Sequence, residues 1–520
     1  MKPHDFIDSA AMRSQNRVLN PTNSSSVMHP ILRNFFLVLT ALAFAGCGKK
    51  DGTDTKPLVM FCAAGMKKPV TAIAKQYEEE YGIPVEIQFG GSGTLLAKLD
   101  IGKGDIYLAG DSSYTDLAKE KGHVAETMGV AYMRAGFAVA KGNPKGIAAL
   151  ADVKRSDLKI AIGNPGAASV GKFTKKILSK HGLWDGFEPT VTFPTVNEIA
   201  NTVKLGTVDA GIIWDAVASQ YSDLDFVNVP EFEAEKKDIT VGVLTDSKQP
   251  TEALKFCRYL TAKDKGLMVF AADGYEPVET ADMWAKTPEV ALFSGAMLRP
   301  AIEKSIEKFE AREGVKINPT YNGCRILVSQ MKAGETPDAY FSCDQSFMTM
   351  VEERFSKPTT VSANEMVMLV KKGNPESVLT LPDLKKDGLK IGFSHPKKSA
   401  LGALTQRLLE SEGLYKEIMD TGNVVPASAT GDFLVNQIRS NALDVVIVYR
   451  SNAMANTGST ADVDIIEINR PKSIAVQPFA IGQGSAHPNL VRRFYETFVS
   501  EAGKAEFLKY GFRWELAEEN

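Results

Sequence analysis

The residues that offer chemistry in this chain are few and mostly small. Ser92 sits in the run "FGGSGT" (89–94), between an apolar stretch and the start of a helical pattern. Loops of the same kind recur at "FCAAGMKK" (61–68) and "IGNPGAASVG" (162–171). A helix N-terminus presents unpaired N–H groups and a partial positive charge. Glycine, alanine and serine let a ligand approach that backbone closely, so several such loops pointing into one cleft would hold an anion. Taken singly, each is an ordinary tight turn. Catalytic chemistry is harder to find: there is no G-x-S-x-G, H-E-x-x-H or GxxxxGK[ST], and the six His are scattered. Asp111 and Asp344, shared by both copies, could serve as acids but read rather as residues that cap a helix or close a turn, since Asp favours N-caps.

Those loops must be held by a frame, and the chain writes the frame twice. Phe61 and Phe293 stand 232 residues apart in "FCAAGMKKPV" and "FSGAMLRPAI". The spacing persists: "EEEYGIPVEIQFGGSGTLLAKL" pairs with "EAREGVKINPTYNGCRILVSQM", and "DIYLAGD" with "DAYFSCD" after one inserted residue. "LKIAIGNP" then pairs with "LKIGFSHP", and "VDAGIIWDAVA" with "LDVVIVYRSNA". Collinear matches along the whole of each copy mark a tandem duplication.

Within each copy a short apolar run precedes a small-residue loop and an amphipathic helix. Leu58–Ala63 is too short for a helix and reads as a buried strand. Pro69 falls in the first turn of the next helix, whose apolar stripe is Val70, Ile73, Ala74 and Tyr77. Alternating β and α units predict an α/β fold with mostly parallel sheets covered by helices. Ligands of such folds gather beyond the carboxyl ends of the strands.

At 520 residues the chain is too long for one hydrophobic core. Its 44% apolar and 24% charged residues are those of a soluble globular protein, and a net charge of −3 offers no basic face for nucleic acid. From Met28 the sequence carries one Arg, an apolar run from Phe35 to Ala45, and "FAGC" at 44–47, the pattern of a signal peptide. "FAGC" resembles the bacterial lipobox, which implies lipidation of Cys47; an ordinary cleaved signal is the alternative. Either address places the mature protein outside the cytoplasm. The expected domains are 1–47, an upstream extension and lipoprotein signal peptide; 48–57, a flexible tether; 58–278, module 1; 279–289, a linker; and 290–516, module 2.

The motifs "FCAAGMKK", "FGGSGTLLAKL", "GDIYLAGD", "IAIGNP", "GLWD" and "GIIWDAVA", in that order, resemble the extracytoplasmic molybdate- and tungstate-binding proteins of ABC importers. The resemblance covers nearly all of 58–278 and again 290–516. It implies two tandem periplasmic-binding-protein type II modules, each of two α/β lobes joined by crossing strands around a cleft. "YMRAGFAVAKGNP" and "DITVGVLTDSKQP" stand where the crossing strands of copy 1 are expected, "NEMVMLVKKGNP" and "SIAVQPFAIGQGS" where those of copy 2 are. The resemblance further implies a small oxyanion held by backbone N–H groups and two serine hydroxyls, with no cofactor, metal ion or catalysis. The partners it implies are an ABC permease and its ATPase, reached from a lipid anchor.

Carried over by position, the family's first serine falls on Gly65 and the second on Ser92. The later backbone donors fall at Val170 and Val196, and the aromatic wall at Trp214, which equally reads as a packed core aromatic. Copy 1 is thus expected to keep an anion site with one fewer hydroxyl. In copy 2 the positions become Met297, Cys324, Leu401 and Gly431, with Tyr449 keeping the family's aromatic. Arg325 follows Cys324 where copy 1 has Gly93, and an Arg can grip an oxyanion bidentately. His395, Lys397 and Lys398 replace "NPGA" and read as an exposed loop. Of five Cys, Cys62 and Cys257 read as core. Cys324 and Cys343 admit three readings: a disulfide in an oxidising compartment, a soft-metal pair, or two separate small residues. The sequence therefore describes a membrane-tethered receptor for molybdate or tungstate. The alternatives are another tetrahedral anion such as sulfate or phosphate, or a sensor or adaptor with one degenerate module.

Overall fold

A computed structural model describes residues 56–428, 430–454 and 461–514. The signal peptide, the lipidation site at Cys47 and most of the tether lie outside the described residues.

Module 1 carries β1 (Leu58–Ala63), β2 (Val85–Gly90), β3 (Ile106–Leu108), β4 (Val124–Met133), β5 (Ala135–Ala140) and β6 (Ile160–Gly163). It continues with β7 (Val191–Phe193), β8 (Ala210–Trp214), β9 (Leu224–Val227), β10 (Lys237–Leu244) and β11 (Glu276–Pro277). These form one sheet per lobe, ordered β11-β4-β10-β3-β1-β2 and β7-β6-β8-β5-β9. The chain crosses between lobes where β4 gives way to β5 at Arg134, and it returns at β10, as expected for crossing strands.

Module 2 repeats the plan with β12 (Glu289–Gly295), β13 (Lys316–Asn322), β14 (Ala339–Phe341), β15 (Thr359–Lys371) and β16 (Ile391–Gly392). β17 (Val445–Tyr449), β18 (Val463–Glu467), β19 (Ile474–Ile481) and β20 (Arg513–Trp514) complete it. Here the sheets of the two lobes join along β13-β12-β14-β19-β15-β17-β16, because β15 runs 13 residues through both lobes without a break.

The expectation of mostly parallel sheets is corrected. The βα units pair in parallel, as β1 does with β2 and β3, but the crossing strands β10 and β5 pair antiparallel with their neighbours. A strand that carries the chain from one lobe back to the other runs against the units it connects.

The duplication extends to single atoms. The helix Lys67–Tyr81 buries the expected stripe and ends at Gly82 with φ +69; its counterpart Arg299–Glu313 ends at Gly314 with φ +65. That left-handed conformation is strained for residues with a Cβ. Asp111 and Asp344 cap helices as expected, accepting from the N–H of Ser113 at 2.9 Å and of Ser346 at 3.0 Å. Asp105 and Asp338 each accept a strand N–H, from Val59 at 2.9 Å and Ala291 at 2.8 Å.

The linker is tied down, and it ends one residue early because Glu289 opens β12. Within it the Asp282 carboxylate accepts the N–H groups of Asn489 at 2.7 Å and Leu490 at 3.0 Å. The modules also meet through a buried ion triad. Arg258 Nη1 donates to Glu313 Oε2 at 2.6 Å, and Arg493 Nε donates to Glu313 Oε1 at 2.7 Å; none of the three side chains is more than 5% exposed. Burial alone would raise the Glu313 carboxyl, but the charges and hydrogen bonds of Arg493 and Arg258 hold it below the ordinary glutamate range.

Candidate functional site

Four helix starts build the cleft of module 1. From one lobe, the Ala64–Met66 turn after β1 leads into the helix Lys67–Tyr81, and Gly91 after β2 leads into Ser92–Leu99. From the other lobe come Ser169–Lys180 and Val196–Lys204. They meet around a cavity of about 20 Å³, lined among others by Gly65, Ser92, Val170, Val196 and Trp214. The structure therefore gathers all five residues that the sequence proposes for this copy. Among the described residues no charged side chain lines the cavity.

The glycines of "FGGSGT" serve closure. A Cβ on Gly91 would stand 2.2 Å from the Pro194 carbonyl oxygen and 2.4 Å from that of Ala167; one on Gly93 would stand 2.2 Å from the Gly166 oxygen. Without side chains the two lobes touch, and the Gly93 N–H donates to the Ala167 C=O across the cleft at 2.9 Å.

Ser92 is 1% exposed, and its Oγ accepts the Gly110 N–H at 2.9 Å, which leaves its own proton for a ligand. Ser169 is not among the residues carried over from the resemblance, yet it lines the same cavity at 6% exposure. A Cβ on Gly110 would meet Ser169 Oγ at 2.4 Å and Ser92 Oγ at 3.2 Å, so hydroxyls from opposite lobes converge over one glycine. Ser169 thus brings a second serine hydroxyl to a cavity where the sequence reading expects one. Its sequence signal was a serine inside the small-residue run, one position before the expected donor Val170. Trp214 satisfies both of its readings: it stacks on Phe173 at 5.6 Å between centroids and also walls the cavity.

Module 2 has a cavity of about 30 Å³ in the equivalent place, bordered by Met297, Leu401, Gly431 and Tyr449. Two expected residues are not delivered to it. Cys324 is fully buried and disulfide-bonded to Cys343, so its sulfur is not a donor for a ligand, and Cys343 rather than Cys324 faces the cavity. This settles the three readings of the pair in favour of the disulfide. Arg325 lies with its guanidinium 5.6 Å from the Phe347 centroid, outside the lining, because the aromatic face beside it takes the charge. Lys397 and Lys398 are exposed, and His395 Nδ1 accepts the Lys397 N–H at 3.1 Å.

Asp432 and Asn452 are among the lining residues that escape the sequence reading. Asp432 accepts from Asn452 Nδ2 at 2.8 Å, and burial pushes its carboxyl above the ordinary range. By repeat alignment Asp432 replaces Asn197, so a change of charge beside an expected donor was the available signal.

Residues 58–276 and 290–513 each match the family of bacterial extracellular solute-binding proteins. A Haemophilus influenzae protein described as a binding protein is 28% identical over 226 residues, covering 43% of this chain and 91% of its own length. The molybdate-binding protein ModA of Mycobacterium bovis is 25% identical over 227 residues, covering 43% of this chain and 84% of its own. The sulfate-binding protein of Synechococcus elongatus is 24% identical over 263 residues, covering 44% and 74%. These relatives are binding proteins rather than enzymes. With both modules matched along almost their entire length, the chain belongs to the bacterial extracellular solute-binding protein family, with the family's domain present twice.

Proposed function

We propose that module 1 captures a fully ionised tetrahedral oxyanion, molybdate or tungstate, and presents it to the permease and ATPase of an ABC importer while anchored through Cys47. One observation carries this reading: helix N-termini and two serine hydroxyls converge on a cavity of about 20 Å³ with no charged side chain in its lining. Helix N-termini favour negative charge. A lining of N–H groups and hydroxyls with no carboxylate to take a proton disfavours a protonated oxyanion, whose O–H would face a donor and leave one group unpaired at roughly 1–3 kcal/mol. Relatives named for molybdate and for sulfate support a tetrahedral dianion and make sulfate the second reading. Under this reading cavity size must separate the two, since molybdate and tungstate are larger than sulfate.

Isothermal titration of the full chain with molybdate, tungstate and sulfate tests the proposal. Molybdate and tungstate are expected to bind more tightly than sulfate, and Ser92→Ala to weaken them by about 1 kcal/mol. Tighter sulfate binding would select the second reading, and no binding of any of the three would end both.

A further inference from the structure

Module 2 keeps the frame of an anion cleft and changes what faces inward. The helices Ala400–Ser411 and Gly431–Arg439 still open on the cavity, and neither has a side-chain cap on its first turn. Their amides remain donors for negatively charged oxygens. Acceptors now stand among them. Asp432 brings a carboxylate into the lining. Asn452 is 3% exposed and commits its Nδ2 to Asp432, and its Oδ1 has no partner among the described residues. Tyr449 is also 3% exposed, and its hydroxyl likewise has no partner among them. Buried polar atoms left unpaired are costly and seldom retained, so these two point to a guest that completes them.

Such a guest must offer oxygens to the amides and at least one O–H to the carboxylate. We propose that module 2 binds a protonated tetrahedral oxyanion of the hydrogen-phosphate class, in its dihydrogen form, with one O–H donated to Asp432, the other to Asn452 Oδ1, and its charged oxygens held at the two helix starts and the Tyr449 hydroxyl. Sulfate and molybdate have no proton to give at neutral pH, and their oxygens would meet the Asp432 carboxylate as like charges. A cation would find one carboxylate but also two positive helix ends. Arg299, the other charged group acting on Asp432, is engaged by Glu303 at 2.6 Å and offsets only part of the acid's charge. The raised Asp432 carboxyl favours sharing one proton with a ligand oxygen. At about 30 Å³ the space suits an inorganic ion. The inference rests on module 2 retaining a ligand cleft, and not on which anion module 1 takes.

The test is isothermal titration of the full chain with inorganic phosphate at neutral pH, alone and after saturation with molybdate. One phosphate per chain is expected in both conditions. Asp432→Asn should weaken it about tenfold or more. Tyr449→Phe, which removes only an unpartnered hydroxyl, should weaken it about threefold with the melting temperature unchanged. The molybdate arm reads module 1 separately, so failure there and failure here are distinguishable. No phosphate binding, or phosphate affinity indifferent to both substitutions, overturns the proposal. So does methylammonium binding that Asp432→Asn abolishes.

Discussion

The two clefts occupy the same place in the same frame and present opposite chemistry. At Ser92 and Gly110, module 1 has a hydroxyl accepting a backbone N–H; at the equivalent Cys324 and Cys343, module 2 has a disulfide. Gly65 becomes Met297, Gly93 becomes Arg325, and Asn197 becomes Asp432. What did not change is equally informative: the paired helix caps at Asp111 and Asp344, and the paired strand anchors at Asp105 and Asp338. The difference teaches that the convergence of helix starts is inherited with the backbone. The choice of guest rests on a handful of side chains that a duplicate is free to replace.

The comparison can be attacked at several points. The largest expected effect falls where the two modules join. Glu313→Gln leaves the buried Arg258 and Arg493 facing a neutral partner and should cost about 3–5 kcal/mol in urea unfolding of the full chain. Because the Glu313 carboxyl is held below its ordinary value, its contribution is complete above the unfolded-state pKa of about 4.3 and is lost as pH falls through the folded value. The variant should therefore lose less stability on acidification than the wild type. Next comes the disulfide: Cys324→Ser with Cys343→Gly restores the residues of module 1 and should lower the stability of module 2 by about 2–4 kcal/mol. Oxyanion binding by module 1 should not change, which a parallel titration checks.

A smaller effect separates closure from donation. Gly91→Ala places a methyl group against two carbonyl oxygens of the opposite lobe. The overpacking should cost about 1–3 kcal/mol of oxyanion affinity, roughly five- to 150-fold, with the fold intact by circular dichroism. The smallest effects belong to the hydroxyls. Ser92→Ala and Ser169→Ala should each weaken binding by about 1 kcal/mol, and Ser169→Ala without effect would remove that residue from the site.

Much of this was legible in the sequence, and the exceptions have physical causes. The stripe Val70, Ile73, Ala74 and Tyr77 was readable because a helix repeats every 3.6 residues, and the duplication was readable because its spacing barely drifts. The mixed sheets were not: local β/α alternation says which elements exist, while strand direction at a crossing depends on which lobe receives the chain. Ser169 was hidden by register, since the family position fell on its neighbour Val170. Arg325 misled because side-chain direction is set by tertiary packing, here the ring of Phe347, and not by its place after the loop. Asp432 and Asn452 are 20 residues apart and become a pair only when the helix Gly431–Arg439 packs beside the end of β17.

The most direct measurement is the anomalous scattering of a crystal of the full chain grown with tungstate. The account predicts one tungsten atom per chain, between Ser92 and Ser169, and none beside Asp432 and Tyr449. Tungsten in both clefts, or in the cleft of module 2 alone, would contradict it.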